Sequence, residues 1–293
     1  MKLAAAFSNT SIGLDFGEIR RLVVGLEKVG FDGVSTNDHV IGAHPDRSNG
    51  VTMNTVDTAV HEPIVLLSMI AAATERLEVA TAIVIAPQRQ TVLLAKQTAE
   101  LDLLSNGRLR LGIGIGRNWI EYEALGQDFT TRGKRLEEQV DVLRLLWGND
   151  LVSFDGRFHT LDRVGINPRS MRDSIPIWMG SYAKAVHEPV LERIGRVADG
   201  WMPQFRPDDL APVLQRVRGY AEAAGRDPDA LGIECIVRAK PDDDPGDWRQ
   251  LAEQYRSLGA THLKVYPAVR PDSGVDGQLD LLGTWHHAVA AVL

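Results

Sequence analysis

Residues 77–116 read LEVATAIVIAPQRQTVLLAKQTAELDLLSNGRLRLGIGIG, and hold one complete strand–helix–strand unit. The run 77–85 is apolar and β-branched, as a buried strand requires, and 91–104 spaces its apolar residues for a helix. The turn Ser105-Asn106-Gly107 follows, and 108–116 is strand again. Upstream, the same alternation gives a strand at 2–7, a helix at 18–30 ended by glycine and a strand at 33–36. A helix at 62–74 carries Pro63 in its first turn. Downstream, 132–147 places Leu136, Val140, Leu143 and Trp147 on one helical face. A small hairpin over 151–160, turning at Asp155-Gly156, interrupts the rhythm. Strands at 176–180, 200–203, 231–237 and 261–266 then alternate with helices at 184–196, 208–224, 247–258 and 281–293. Eight such pairs without a Pro/Gly/Ser-rich linker predict one α/β domain over 1–293, a (β/α)8 TIM barrel with insertions rather than an open doubly wound sheet.

Composition narrows the function. The 293 residues are 44% apolar and 24% charged, ordinary for a globular chain with a sizeable core. A net charge of −7, with no dense Lys/Arg stripe, argues against a nucleic-acid partner. The single Cys235 excludes an internal disulfide framework, fits a reducing compartment and reads as a small buried strand residue. The amino terminus lacks a signal-peptide pattern, and no window reaches a membrane span's length, so the expectation is a cytoplasmic protein without a membrane partner.

A barrel puts its active site at the carboxyl ends of its strands. Asp38-His39 stands at the end of the second strand. Histidine changes charge near neutral pH, and an adjacent carboxylate can orient it or hydrogen-bond a polar ligand edge; the plain alternative is a loop pair. Gly112, Gly114 and Gly116 alternate along the fourth strand. They expose backbone for a flat ligand or a phosphate, or they relieve crowding inside the barrel. A dinucleotide fingerprint is rejected, because G-x-G-x-x-G would need glycine at Arg117 and no acidic strand end follows. Gly180-Ser181 reads as a strand end opening a helix, where backbone N–H groups and a hydroxyl suit an anion; a bare turn would look the same. His286-His287 are adjacent on a helix, and His44, His61, His159, His187 and His262 lack ligand spacing, so no metal is expected. Arg132, Lys134 and Arg135 form either a solvated helix start or a grip on an acidic cofactor tail. The long loops at 41–60 and 119–131 are where specificity would lie, with 43–55 a lid or pocket edge.

Residues 73–126, followed by RGKRLEEQVDVLRLLW, PIWMGS and VADGWMP, together resemble the luciferase-like family of barrel oxidoreductases, over residues 1–205 and more weakly beyond. The resemblance implies a cofactor, coenzyme F420 or FMN, and a small-molecule substrate. Asn37-Asp38-His39 is similar to the deazaflavin branch, which implies Asp38 as a ring hydrogen-bonding group and His39 as proton donor or acceptor beside a transferred hydride. The family's non-prolyl cis peptide would fall at Ala82–Ile83, supporting the ring's back face. Ile115, Gly116, Asn118, Gly180 and Ser181 match segments that hold the cofactor phosphate. Some sugar-phosphate dehydrogenases of this kind carry a glutamate after the fourth-strand glycines; Arg117 stands there instead and cannot act as a base, so that activity is not carried over. Relatives are often homodimers. The leading expectation is an F420-dependent oxidoreductase, with an FMN-dependent monooxygenase as alternative. A non-catalytic cofactor-binding protein comes next, and an acid/base hydrolase built on Asp38 and Glu234 last.

Overall fold

A computed structural model describes residues 1–7, 15–48, 54–182 and 187–293. The elements in chain order are β1 Lys2–Ala6, α1 Phe16–Val29, β2 Gly33–Thr36, α2 Pro45–Ser48, α3 Pro63–Ala73, β3 Glu78–Thr81, β4 Val84–Ile85 and α4 Thr91–Leu104. Next come β5 Leu109–Gly114, α5 Trp119–Ala124, α6 Arg132–Gly148, β6 Val152–Asp155, β7 Thr160–Val164, β8 Ile177–Tyr182 and α7 Glu188–Val197. The last are β9 Gly200–Gln204, α8 Pro207–Ala223, β10 Gly232–Ala239, α9 Pro245–Ser257, β11 His262–Pro267 and α10 Gly274–Ala290.

Local chemistry sets the boundaries. Helix α1 starts where the Asp15 carboxylate accepts from Glu18 N–H, and stops at Gly30, whose φ of 110° suits a residue without Cβ. Between them Ile19, Leu22, Val23 and Leu26 face inward, each burial contributing about 1.5–3 kcal/mol. The strands pair in parallel in the order β3-β2-β1-β11-β10-β9-β8-β5-β4, and β3 also pairs with β5, which closes the barrel. Strands β3 and β4 are one barrel strand interrupted at Ala82–Ile83, whose peptide bond is cis, where the resemblance put it. That leaves eight parallel positions, the predicted (β/α)8 architecture. Outward side chains such as Leu3, Val34, Val79, Leu111, Ile177 and Val265 join the helices in one apolar core. Among the described residues no helix is long and apolar enough to cross a membrane.

The amino-terminal half of the barrel is filled with paired charges. Arg110 Nε donates to Glu78 Oε1 at 2.6 Å, its other arm reaches Glu234, and Lys264 Nζ lies 2.6 Å from Glu234 Oε1. The Arg110 guanidinium stacks 4.3 Å from the Trp178 ring centre, and that ring fits because Gly200 and Gly232 leave space for it. Glu234 is 1% exposed. Burial works to raise its pKa, but Arg110 and Lys264 outweigh it and hold the carboxyl at about 2. As a committed ion-pair partner low in the barrel, Glu234 is not half of an acid/base pair with Asp38.

Three expectations need correction. Strand β8 continues through Tyr182, and the first described residue of α7 is Glu188, so Gly180 and Ser181 are strand residues rather than a helix start. The proposed start of that helix at Lys184 lies outside the described residues, as does 49–53 of the expected lid. Helix α10 begins seven residues before the expected 281, because Gly274–Asp280 carries two glycines and little apolar period while still burying Val275 and Gln278. The loop read at 119–131 contains the six-residue helix α5.

Candidate functional site

The carboxyl ends of β2, β3/β4 and β5 bring together most of the residues singled out above. Asp38, 3% exposed, turns into the wall. Its Oδ1 accepts from Arg89 Nη2 at 2.9 Å, and its Oδ2 accepts from the Ile85 N–H at 2.9 Å and from Arg89 Nε at 3.3 Å. Arg89 also pairs with Glu62 at 2.7 Å, and Glu62 caps α3 by accepting from Val65 N–H. Asp38 was expected to hydrogen-bond a ligand edge. With its side chain 1% exposed and both oxygens engaged, it instead ties the end of β2 to β4 and the turn after it.

His39 faces the other way, with 30% of its side chain exposed. Its Nδ1 lies 3.1 Å from Glu121 Oε1. The same carboxylate accepts from Val40 N–H at 3.0 Å and, through Oε2, from Gln88 Nε2 at 3.3 Å. Glu121 is fully buried. Burial works to raise its pKa, yet the His39 hydrogen bond and charge, with Gln88 and the Val40 N–H, hold it below the ordinary carboxylate range.

Ala82 and Ile83 are half-buried, whereas Val84 and Ile85 beyond them are buried, so the bulged pair presents a surface at the mouth. The alternating glycines serve that bulge. A Cβ on Gly112 would sit 2.0 Å from the Thr81 carbonyl oxygen, one on Gly114 would meet the Ile83 side chain at 2.8 Å, and one on Gly116 would meet Ile85 at 2.8 Å. A Cβ on Gly180 would meet the Ile83 side chain at 3.0 Å. Of the two readings offered for these glycines, relief of crowding accounts for the space beside them. Ser181 Oγ accepts from Trp201 Nε1 at 2.8 Å, and the Ile115 carbonyl accepts from Tyr122 Oη at 2.6 Å.

Asn118 caps α5 by accepting from Ile120 N–H at 3.2 Å; its Nδ2 is a buried donor without a partner among the described residues. Arg117, exposed beside it, follows Gly116, whose φ is 59°. Among the described residues no three His, Cys, Asp or Glu side chains are placed to hold a metal ion. Burial pushes the Cys235 thiol up, out of reach of thiolate chemistry.

A cavity of about 710 Å³ lies on the outer flank, lined among others by Leu93, Arg135, His159 and Ile166. There Thr91 Oγ1, His159 and Glu138 form a hydrogen-bonded series at 2.6 and 2.7 Å. Thr91 is only 3% exposed and its hydroxyl also accepts from Gln139 Nε2, while Glu138 accepts from the N–H groups of Arg157 and Phe158. The trio clasps the β6–β7 hairpin to α4 and α6; it does not present a nucleophile. None of the mouth residues lines this cavity.

Sequence reasoning missed Glu121, Arg89 and Gln88. Glu121 stands three residues after the N-cap Asn118, the spacing of a capping box, so its only local signal is that of an ordinary helix start. Gln88 lies in a short 3-10 turn that Arg89 caps, with no periodicity to expose their direction.

A sequence model described as luciferase-like monooxygenase matches residues 3–284. A phthiodiolone/phenolphthiodiolone dimycocerosates ketoreductase of Mycobacterium kansasii is 29% identical over 242 residues, 77% of this chain and 64% of that protein. Uncharacterized Mycobacterium tuberculosis proteins at 31% and 34% identity are matched over 63% and 56% of their length, so the chain spans about three fifths of these curated relatives. Among solved structures, the monooxygenase RslO1 from Streptomyces bottropensis superposes with a TM-score of 0.78 at 20% identity, covering 99% of both chains. An F420-dependent secondary alcohol dehydrogenase, solved with an F420-acetone adduct, gives 0.77 at 17% identity over 97% of this chain and 98% of its own. At such identities the structural likeness is one of fold.

Proposed function

The chain belongs to the luciferase-like monooxygenase family, and from that premise we propose that it is an oxidoreductase binding coenzyme F420 at the mouth formed by β2, β3/β4 and β5. The observation that carries this reading is His39, a proton-handling side chain 30% exposed and braced by a buried carboxylate, at the end of the strand that Asp38 ties to the one carrying Ala82–Ile83. The residues present fit a flat ring with an anionic tail. Ala82 and Ile83 offer the ring an apolar face. The unpartnered Asn118 Nδ2 and the Gly116–Arg117 turn offer the tail a donor and a positive charge at the end of β5. Ile115, Gly180 and Ser181 complete the rim of the proposed site.

Bound there, a deazaflavin supplies two-electron hydride transfer. The chain supplies the rest. Asp38 and Arg89 fix the end of β2 against β4, so His39 keeps its place relative to the bulge. His39 then holds or releases the proton that must accompany a hydride moved to or from a carbonyl. A ketoreductase among the relatives and an alcohol dehydrogenase among the structural neighbours support a ketone or secondary alcohol as substrate class.

The test is a parallel fluorescence titration of the purified protein with oxidised F420 and with FMN. Saturable F420 binding with weak FMN binding is the expected result. The reverse preference overturns the deazaflavin reading in favour of an FMN-dependent monooxygenase. With F420 bound and secondary alcohols offered as hydride donors, His39→Ala lowers turnover by roughly a hundredfold or more while the cofactor still binds. Unchanged turnover would remove His39 from the chemistry.

A further inference from the structure

Glu121 is a carboxylate in an expensive place. It is fully buried, and among the described residues no lysine or arginine lies within ion-pair distance of it; its only charge-bearing partner is His39. The remaining partners, Val40 N–H and Gln88 Nε2, are neutral. A buried charge needs hydrogen bonds and a counter-charge, and lacking them it neutralises. Other buried carboxylates here follow that rule with a permanent cation: Asp38 with Arg89, Asp102 with Arg172, Glu234 with Arg110 and Lys264. Glu121 departs from it by taking a titratable partner.

The helix that carries it has been turned to this use. With Asn118 as N-cap and Glu121 three residues later, a reciprocal cap would send the Glu121 side chain back to the Asn118 N–H. Instead it crosses to the end of β2, where one oxygen receives both the His39 ring and the next backbone N–H. That double contact sets the ring's orientation as well as its distance.

An ionised carboxylate can only accept, so the ring nitrogen facing it must carry the hydrogen. His39 Nε2, on the opposite edge, has no hydrogen-bond partner among the described residues and belongs to a side chain 30% exposed. We propose that Glu121 is a positioning residue that fixes His39 as the Nδ1–H tautomer and thereby makes Nε2 the atom that takes up and releases the proton. A proton arriving at Nε2 makes an imidazolium whose charge faces a carboxylate 3.1 Å away; a proton leaving restores the same tautomer, ready for the next cycle. The proton role rests on the oxidoreductase reading, whereas the tautomer does not.

Nitrogen NMR of the ring tests this, with histidine labelled at both ring nitrogens and His39 assigned by its loss in His39→Gln. It is run on the full chain at a pH where the imidazole is neutral, without cofactor. The wild-type signal pair should show the hydrogen on Nδ1 and a bare Nε2. In Glu121→Ala the pair should move toward the Nε2–H form that an unconstrained histidine side chain prefers. A wild-type ring protonated at Nε2, or an Ala variant with unchanged shifts, overturns the proposal whether or not F420 binds. Should the Ala variant not fold, Glu121→Gln keeps the volume and removes the charge. It should lower turnover roughly tenfold or more while F420 affinity stays within about twofold. Equal turnover in that variant also overturns the proposal, and failure of F420 to bind the wild type strikes the cofactor reading instead.

Discussion

Asp38 and His39 are neighbours in the chain with opposite duties. One faces the protein and the other faces the mouth. The division follows from partners 47 and 51 residues away, the Ile85 N–H and Arg89, which claim both oxygens of Asp38. A dipeptide at a strand end marks a site but carries no sign of which member turns inward, because that depends on groups distant in sequence. The consequence is measurable. Asp38→Asn weakens a buried ion pair whose arginine retains, among the described residues, only Glu62, and should lower unfolding stability by about 2–4 kcal/mol in urea titrations. A variant as stable as the wild type would return Asp38 to the ligand. Glu121 was hidden for the same kind of reason, since its local signal as a third helical residue is complete without any reference to His39.

At the scale of elements, periodicity carried most of the barrel. All eight strand positions and the helices at 91–104 and 132–147 were legible, because runs of this length repeat their apolar spacing often enough to be distinguished. Helix α5 has only six residues, too few for a period, and α10 hides its first turns behind two glycines. The glycines of β5 were visible but ambiguous. Their purpose depends on the bulge in the neighbouring strand, and no spacing rule reports what stands opposite a glycine. The fit is tight enough to test. Gly112→Ala drives a Cβ into the Thr81 carbonyl, a backbone atom that cannot swing aside, and should cost at least about 2–3 kcal/mol. Gly219→Ala, inside α8 with open space around it, should be neutral or stabilising by up to about 1 kcal/mol. Equal effects in chemical denaturation would show that the bulge does not press on β5.

For the molecule as a whole, the charged filling of the lower barrel sets the response to acid. Burial and the nearby Arg110 lower the His262 pKa from 6.5 to about 4, and Glu234 falls from 4.5 to about 2. Both groups bind a proton more readily in the unfolded chain than in the folded one. Their contribution to stability is therefore complete above pH 6.5. It declines as pH falls from 6.5 toward 4, where unfolded His262 charges, and again below 4.5 as unfolded Glu234 protonates. Urea midpoints measured across that range should slope downward toward acid, and His262→Gln should flatten the upper part of the slope. A flat wild-type profile from 6.5 to 4 would mean that His262 is not buried neutral.

The same filling governs traffic. Trp178 and the interlocked side chains of Arg110, Glu234 and Lys264 are all buried and fill the amino-terminal floor of the barrel. Under the proposed function, a ligand at the mouth would therefore enter and leave on the carboxyl side of the barrel.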